Sequence, residues 1–279
     1  MDSGNFLGEF LRARRELTGP EEAGLGSSRA RRTPGLRRHD VAMLAGISVD
    51  YYIRLEQGRE RHPSPSVLGA LARVLRLTPE AEEHLYDLAL REDRPRRIAR
   101  PEEQVSPYLL RLMSGWVTTP AFVCDRWMDI LAVNPIAETL LEGLNRVDNM
   151  VSMVFTDPLA RRFYRDWEKI AHNRAAHLRA MAGPDVDDPR LTELVDELSE
   201  QSPEFRRIWR RHEVNGLHRE TKDLHHPEVG DLTITCEALY STGARNQQLV
   251  TVQAEPGSPS DWALHALAEK AGSPVSHPI

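Results

Sequence analysis

Arginine side chains flank the stretch Arg37–Arg61, and short polar side chains lie between them. A guanidinium group can donate two parallel hydrogen bonds to the major-groove edge of guanine or to a phosphate. Arg54 is the residue best suited to a guanine, while Asp50 can accept from a cytosine or pair with Arg54 one helical turn later. These residue types therefore offer contacts to nucleic acid. The residues that we expect to meet bases or phosphates here are Arg37, Arg38, Ser48, Val49, Asp50, Tyr51, Arg54 and Arg59.

Two short helices joined by a tight turn would hold these side chains in place. Gly46 follows a stripe of apolar residues, at a point where glycine adopts a left-handed turn at low cost. Ser48 can then cap a second helix that buries one face and exposes the other. This spacing predicts a helix-turn-helix, although an ordinary helical hairpin in a bundle has similar spacing. The residues that we expect to be buried in the two helices are Val41, Leu44, Ala45, Tyr52 and Leu55.

A stretch rich in Gly, Pro and Ser, residues 18–36, predicts a long loop before the first of these helices. Its end carries Arg29, Arg31 and Arg32. We expect these three side chains to contact phosphates or to enter a minor groove, as basic arms do. The alternative is a loop whose arginines only face solvent.

The chain has 279 residues, enough for two domains of ordinary size, and its charge is unevenly distributed. The first 100 residues carry 18 Arg, no Lys and 15 acidic residues, whereas the remainder carries 18 basic and 27 acidic residues. This asymmetry indicates that only the first part faces a polyanion. Because the sequence lacks an apolar run of about 18 residues and a signal-peptide pattern, we expect a cytoplasmic protein without a membrane span.

A charged, proline-bearing stretch divides the chain into two parts. We expect a helical domain over residues 1–95, a linker over 96–106 and a second domain over 107–258. Residues 259–279 then form a C-terminal helix or tail that is partly disordered.

The second domain combines helices with segments of extended pattern. Apolar, β-prone runs on either side of Asp125 and Arg126 predict a hairpin, and Asp157-Pro158 opens a helix that we expect to continue to Ala182. Three more segments, near residues 216–224, 232–239 and 248–255, have strand character. Strands at both ends with helices between them predict an α+β domain with an antiparallel sheet packed on helices.

The letters AGIS followed by YYIRLEQGR resemble the lambda-repressor-like, or Xre-type, helix-turn-helix. In that family a turn of this kind precedes the recognition helix. The resemblance implies a compact all-α domain of five helices over roughly residues 5 to 92 that binds double-stranded operator DNA.

The second part is similar to the ligand-binding domain of the MmyB-like transcription regulators, which has a PAS-like fold. The similarity lies in AVNPIAETLL, VFTDPLARRFYRDWEKIA, SPEFRRIWRRHEV and HHPEVGDLTITCEAL, in matching order across residues 107–256. It implies an effector that is small and apolar, with a fatty acid as one example. Since one helix-turn-helix buries too little surface for tight specific binding, we also expect a homodimer on paired half-sites.

A PAS-like sheet around helices can enclose an apolar cavity whose mouth carries a few polar groups. Arginines and aromatic residues on two predicted helices are the candidates to orient a ligand there, and one arginine could clamp a carboxylate. The alternative is that the arginines pair with surface acids and the tryptophans belong to the core. The candidates are Arg162, Tyr164, Trp167, Trp209, Arg211 and His212.

The sequence contains no motif that indicates catalysis, a cofactor or a metal. The histidines at 212, 218, 225 and 226 lack zinc-site spacing, and Cys124 and Cys236 are expected to be reduced core residues. His84 is expected at the surface. Two alternatives to a ligand sensor remain, namely a protein-docking module with no small ligand and an enzyme that acts on its ligand.

Overall fold

A computed structural model describes residues 5–25, 35–90, 105–183, 185–216, 219–241 and 244–272. The chain divides into two compact units. The first is formed by Met1–Ile98, Arg179–Glu197 and Arg206–Gly216, and the second by Ala99–Leu178, Leu198–Phe205 and Leu217–Ile279. The predicted linker falls almost entirely outside the described residues, as do Arg29, Arg31 and Arg32.

The amino-terminal part of the first unit is helical, as predicted. Its helices begin where a polar side chain caps free backbone N–H groups. Asn5 Oδ1 accepts from the N–H of Gly8 at 3.2 Å, and Ser48 Oγ accepts from the N–H of Tyr51 at 3.1 Å. Ser64 and Thr78 cap two later helices in the same way. The helices are α1 (Phe6–Leu17), α2 (Arg38–Ala45), α3 (Val49–Glu56), α4 (Pro65–Val74) and α5 (Pro79–Ala89).

One apolar core holds the first unit together. Phe10, Tyr52, Leu55 and Leu71 are fully buried in it, and Val214 joins them from the segment Arg206–Gly216. Two of our expectations are wrong here. His84 is buried with its ring edge-on to Phe10, 5.4 Å between centroids, rather than exposed. On α2 the buried residues are Asp40, Val41 and Ala42, while Leu44 is 37% exposed.

The remaining elements follow the α+β pattern that the sequence predicts. The strands are β1 (Ala121–Asp125), β2 (Ile130–Val133), β3 (Arg219–His226), β4 (Gly230–Ser241) and β5 (Ala244–Gln253). The helices are α6 (Pro107–Ser114), α7 (Pro135–Leu141), α8 (Met150–Thr156), α9 (Ala160–Phe163), α10 (Trp167–Ala182), α11 (Pro189–Gln201), α12 (Pro203–Trp209) and α13 (Pro259–Gly272). Helices α10, α11 and α12 contribute residues to both units.

The sheet of the second unit is antiparallel and has the strand order β2-β1-β5-β4-β3. The expected hairpin around Asp125 and Arg126 is β1 and β2. Residues directly opposite each other on neighbouring strands share a face, and faces alternate along each strand. Met113 of α6 packs on one face, against Val123 and Leu249. Cys124 and Gln248, which are paired across β1 and β5, therefore lie on the other face.

The long helix that we expected from Asp157-Pro158 to Ala182 is interrupted after α9. Tyr164 forms a β-bridge with Leu224 of β3, and the N–H of Arg165 donates to the carbonyl of Asp223 at 3.0 Å. These contacts take the chain out of helical conformation for three residues before α10 begins. The break arises from pairing with a strand about 60 residues later in the sequence, which local periodicity does not encode.

Among the described residues, no helix combines the length and the apolar character needed to cross a membrane.

Candidate functional site

The turn between α2 and α3 has the geometry that its sequence predicts. Gly46 adopts the left-handed conformation at φ 69°, and the N–H of Ile47 donates to the carbonyl of Ala42 at 3.0 Å. Ser48 then caps α3. Because Tyr52 and Leu55 are fully buried, they fix which face of α3 points outward. The turn and the core contacts together hold α3 as a short amphipathic helix at the surface.

The predicted base-contacting residues lie on the outer side of α3 and just before it. Ser48, Asp50 and Arg54 are exposed, and Val49 and Tyr51 are half-buried. The guanidinium of Arg54 lies 5.7 Å from the ring centroid of Tyr51. No ion pair joins Asp50 to Arg54 in the part of the chain that the structure describes. Within that part, Arg54 therefore has no carboxylate partner, and the N–H groups of its guanidinium can donate to a ligand.

A buried carboxylate links the three helices that surround this surface. Glu56, at the end of α3, has a side chain only 1% exposed, and its two oxygens accept from Arg15 Nε and Arg38 Nε, each at 2.6 Å. Arg15 also donates to the carbonyl of Leu36 at 3.0 Å. Burial would raise the pKa of Glu56, but the hydrogen bonds and charges of the two arginines lower it below its ordinary value. Glu56 thus fixes α1 and α2 against α3.

The flanking arginines differ in how freely they can reach a ligand. Arg37 and Arg59 are exposed. The side chain of Arg38 is 45% exposed, so its outer nitrogens remain accessible although its Nε is bound to Glu56. Arg61 Nε donates to the carbonyl of Gly58 at 3.2 Å. Four cationic side chains, Arg37, Arg38, Arg54 and Arg59, therefore stand at the surface next to the turn and α3.

A small cavity lies in the second unit between the sheet and α10. Its free volume is about 20 Å³, which holds one or two water molecules. Sulfur-containing and aliphatic side chains form one part of its wall and polar side chains the other. The lining residues are Cys124, Met128, Met150, Arg174, His177, Arg219, Glu220, Cys236, Ala238, Gln248 and Val250.

The polar part of the wall contains buried charges. Glu220 accepts from Asn173 Nδ2 at 2.7 Å, from Lys222 Nζ at 3.1 Å and from Arg174 Nη2 at 3.4 Å. Arg174, Glu220 and Lys222 are each less than 10% exposed. Burial would raise the pKa of Glu220, but the charges of Lys222 and Arg174 and the hydrogen bonds lower it. Glu220 is therefore ionised in the folded protein at neutral pH.

Cys124 and Cys236 are free cysteines. Burial raises the pKa of the Cys124 thiol to about 12, so this side chain is a neutral, apolar part of the wall. Within the described residues, no group of three or more His, Cys, Asp or Glu side chains is placed to hold a metal ion.

Three of the predicted ligand-binding residues lie in the second unit, and none of these lines the cavity. Arg162 is exposed on α9. Tyr164 is buried beside Phe163, with 5.1 Å between ring centroids. Trp167 donates from Nε1 to the carbonyl of Val154 at 2.8 Å and stands edge-on to Phe155. Both aromatic residues therefore pack in the core, which for Trp167 is the alternative that the sequence left open.

The other three lie in the first unit, in the segment that follows Phe205. The guanidinium carbon of Arg179 lies 3.8 Å from the ring centroid of Trp209, and the backbone carbonyl of Trp209 accepts from Arg179 Nη2 at 2.7 Å. Arg211 Nε pairs with Glu213 at 2.8 Å. His212 has a left-handed backbone at φ 49°. No residue of this group is among the cavity-lining residues either.

Sequence reasoning missed Arg174, Glu220 and Gln248 as cavity residues. A signal was present in β3, whose alternation puts Glu220, Lys222 and Leu224 on one buried face. Charged residues at alternate, inward positions of a strand are unusual and indicate a buried polar site. The position of Arg174 gave no such signal, because helix α10 has buried residues on several sides.

The first unit presents an exposed polar helix after a glycine turn, and a small cavity lies in the second, an arrangement expected of a DNA-binding protein with a separate ligand-binding unit. Comparison with protein families agrees. Residues 105–267 match the MmyB-like transcription regulator ligand binding domain, and residues 7–85 match a helix-turn-helix domain. Since the first match covers more than half of the chain, the chain belongs to the family of MmyB-like transcription regulators. No curated protein matches the chain.

Proposed function

We propose that this transcription regulator is of the Xre type, reads a specific operator through α3, and changes its operator affinity when a small apolar or fatty-acid-like effector occupies the second unit. The observation that carries the proposal is the pairing of two sites in one chain. Arg54 is exposed on α3 and has no carboxylate partner among the described residues, and a partly apolar cavity lies under the sheet.

On the DNA side, Arg54 reads a guanine, and Ser48, Val49, Asp50 and Tyr51 contact neighbouring bases or phosphates. Arg37, Arg38 and Arg59 neutralise phosphates, as do Arg29, Arg31 and Arg32 from the preceding loop. Alanine at positions 29, 31 and 32 together should reduce the slope of log Kd against log salt by about 2 to 3, since each phosphate contact contributes roughly 0.9 to that slope. An unchanged slope in a filter-binding titration would contradict the phosphate contacts proposed for Arg29, Arg31 and Arg32.

On the effector side, the cavity must enlarge to accept a molecule bigger than water. Met128 and Met150 form part of its wall, and methionine side chains adapt easily because they are unbranched and have three rotatable bonds. Occupancy would therefore displace these side chains and shift the packing of the elements that carry them. Such a shift is the means by which a ligand can favour one conformation of a regulator over another.

We further propose that the protein acts in the cytoplasm as a homodimer on paired half-sites. A single helix-turn-helix module buries too little surface for nanomolar affinity at physiological salt, whereas two modules joined in one dimer bury enough. That the ligand contacts Arg162, Tyr164, Trp167, Trp209, Arg211 and His212 also remains a proposal.

The test begins with native mass spectrometry of the purified protein, followed by organic extraction and identification of bound material. We expect a stoichiometric apolar acid that, when added back to stripped protein, changes operator Kd measured by fluorescence anisotropy. A stripped protein whose operator affinity is indifferent to every extracted compound would contradict the sensing function.

The small free volume of the cavity favours a second candidate. The second unit could be a docking module for another protein, with an interior filled by its own side chains. In that case extraction yields nothing, and a protein partner rather than a small molecule changes the operator Kd.

A further inference from the structure

The first unit contains a segment that lies far in the sequence from its five amino-terminal helices. This segment is Arg206–Gly216, and the residues on both sides of it in the sequence belong to the second unit. Its Val214 is buried in the core formed by α1 to α5, and Ala180 near the end of α10 packs against the same core. We call Arg206–Gly216 the docked segment. Its release would change the packing of the unit that carries α3.

Arg179 of α10 holds the docked segment in place. Its guanidinium stacks on the ring of Trp209, and its Nη2 donates to the backbone carbonyl of Trp209. The same carbonyl accepts from the N–H of His212 at 3.2 Å. Arg179 is only 7% exposed, and among the described residues no carboxylate forms an ion pair with it, although the charge of Glu9 acts on it from α1. A buried cation without an ionic partner thus anchors the segment, which is a costly arrangement.

The charge of Arg179 acts on two histidines of the same unit. His84 of α5 is 3% exposed, and its Nδ1 has no hydrogen-bond partner within the described part of the chain. His212 of the docked segment is half-buried. Burial and the charge of Arg179 lower the pKa of His84 from 6.5 to about 3. Burial, Arg179 and then His84 lower the pKa of His212 to about 2. Both rings are therefore neutral while the segment is docked.

The acidic side chains of this region do not compensate a proton on either histidine. Glu213 pairs with Arg211 Nε at 2.8 Å, and its charge also acts on Arg14 of α1. Glu9 acts on the anchoring arginine. Neither of these two acids is among the charges that act on the two rings. A proton on either ring therefore adds an unbalanced positive charge to the contact, and on the ring of α5 it also leaves a buried N–H without an acceptor.

We propose that the docked segment is a pH-sensitive contact, in which protonation of His84 and His212 releases Arg206–Gly216 from α1 and α5. The ligand of this switch is the proton alone. The switch is distinct from effector binding, because neither histidine lines the cavity of the second unit. Release exposes both rings to water, where each takes up a proton as an ordinary histidine does.

Proton linkage sets the direction of the change. Both histidines have a lower pKa in the docked state than the ordinary value of 6.5, so the released state binds more protons. The docked state keeps its full stability above about pH 6.5 and loses stability as the pH falls below it. Between about pH 7.5 and about pH 5.5 the equilibrium constant for release should rise about 10-fold for each histidine, hence about 100-fold for both.

Hydrogen–deuterium exchange of the full-length protein, followed by mass spectrometry, measures the release. Between about pH 7.5 and about pH 5.5 we expect peptides from Arg206–Gly216 to lose up to about 100-fold in protection, after correction for intrinsic exchange rates. Peptides from β4 should keep their protection. Unchanged protection of the docked segment would overturn the proposal. An equal loss in β4 would also overturn it, because the whole protein would then be unfolding.

The double variant His84→Phe, His212→Asn removes both titrating rings. Phenylalanine keeps the aromatic contact with Phe10, and asparagine tolerates the left-handed backbone at position 212. Protection of the docked segment should then be nearly the same at the two pH values. His265→Gln is the matched control, since His265 is exposed on α13, and it should behave like the wild type. A double variant with the acid sensitivity of the wild type would contradict the role of the two histidines.

Proton NMR of the histidine Cε1–H signals tests the same contact in the wild type, and it decides the question if the double variant fails to fold. The signals of His84 and His212 should titrate only together with the loss of protection in the docked segment. A ring that takes up a proton near its ordinary pKa of 6.5 while the segment stays protected would overturn the proposal.

Discussion

At the scale of single residues, the arginines of the first unit divide into two roles according to burial. Arg15 is buried and its Nε is bound to Glu56, so its charge serves the fold. Arg54 is exposed on α3, and the part of the chain that the structure describes offers it no carboxylate. Its neighbour is the ring of Tyr51, which can hold the guanidinium in place without neutralising it. Of these two arginines, Arg54 is thus the one available for a ligand that brings its own acceptors.

Replacing Arg54 with Ala should weaken specific DNA binding by about 1–3 kcal/mol and leave binding to random DNA nearly unchanged. The reason is that a bidentate contact to a base is lost while most phosphate contacts remain. Arg59→Ala is the matched comparison, because it should weaken binding to specific and to random DNA to a similar extent. Fluorescence anisotropy at one fixed salt concentration measures all four affinities. An equal loss for Arg54→Ala on both DNAs would mean that Arg54 contacts only phosphate.

Replacing Glu56 with Gln should destabilise the protein by about 3 kcal/mol, because two arginines lose their charged partner, one of them buried. Glu16→Gln is the control. Glu16 is 53% exposed and pairs with Arg12 on the surface, and its contact with Arg15 Nη2 is long at 3.4 Å, so its loss should change the unfolding free energy by less than about 1 kcal/mol. Urea unfolding followed by circular dichroism measures both variants. Similar small losses would show that the buried pairs contribute no more than surface pairs.

Stability should also depend on pH through Glu56. Its pKa in the folded protein is lower than the ordinary value of 4.5, so the unfolded state takes up a proton first as pH falls. The stabilisation is fully present above about pH 4.5 and is lost as pH falls through the lower folded value. The Glu56→Gln variant should therefore lose less stability than the wild type as the pH falls from about 5 through the lowered folded pKa of Glu56. Parallel stability curves for the two proteins would exclude this contribution.

At the scale of elements, two glycines determine where α2 and α3 end. Gly46 has φ 69° and Gly58 has φ 66°. A Cβ at position 46 would meet no atom within 4 Å, whereas a Cβ at position 58 would lie 2.5 Å from Oδ1 of Asn5. That oxygen caps α1, and Asn5 also donates from Nδ2 to the carbonyl of Glu56 at 2.8 Å. The end of α3 and the start of α1 are therefore coupled at Gly58.

Gly46→Ala should lower the unfolding free energy by about 1 kcal/mol, the cost of left-handed backbone for a residue with a Cβ. Gly58→Ala should lower it by about 2 kcal/mol, because it adds the displacement of the α1 cap to the same backbone strain. The difference between the two, measured by chemical denaturation, isolates the contact with Asn5. Equal losses would show that Asn5 moves aside without consequence.

At the scale of the whole molecule, positive charge is concentrated in the part of the chain that contains the helix-turn-helix. The first 100 residues are net basic and include the helix-turn-helix, while the remainder is net acidic. An acidic second part does not attract a polyanion, so DNA is directed to the basic part. The proposed homodimer would then present two such basic surfaces to one duplex.

A dimer requires two half-sites about one DNA turn, or a multiple of it, apart. Inserting about 5 base pairs between the half-sites should therefore abolish tight binding, whereas inserting about 10 should largely restore it, because only the second change keeps both half-sites on one side of the duplex. Sedimentation velocity of the free protein and of the complex gives the stoichiometry directly. A monomer in both, with affinity insensitive to spacing, would contradict the homodimer.

Local signals in the sequence determined the elements of this protein. The cap Ser48, the turn glycine Gly46 and the β-prone runs around Asp125 act over a few residues. They predicted the helix-turn-helix, the α+β pattern and the exposed position of Arg54 without knowledge of distant contacts. For this reason the DNA-facing residues on α3 could be proposed from sequence.

Only the tertiary structure decided which polar residues are buried together. Glu56 meets Arg15 across 41 residues of sequence, and Arg174 meets Glu220 across 46. The break at Tyr164 likewise depends on β3, and the cavity on four strands that meet the two helices α8 and α10. These groupings arise from long-range pairing, in which desolvation and charge neutralisation act between residues that the sequence separates. Sequence periodicity was therefore enough to predict the helices, whereas the cavity could be identified only from the folded structure.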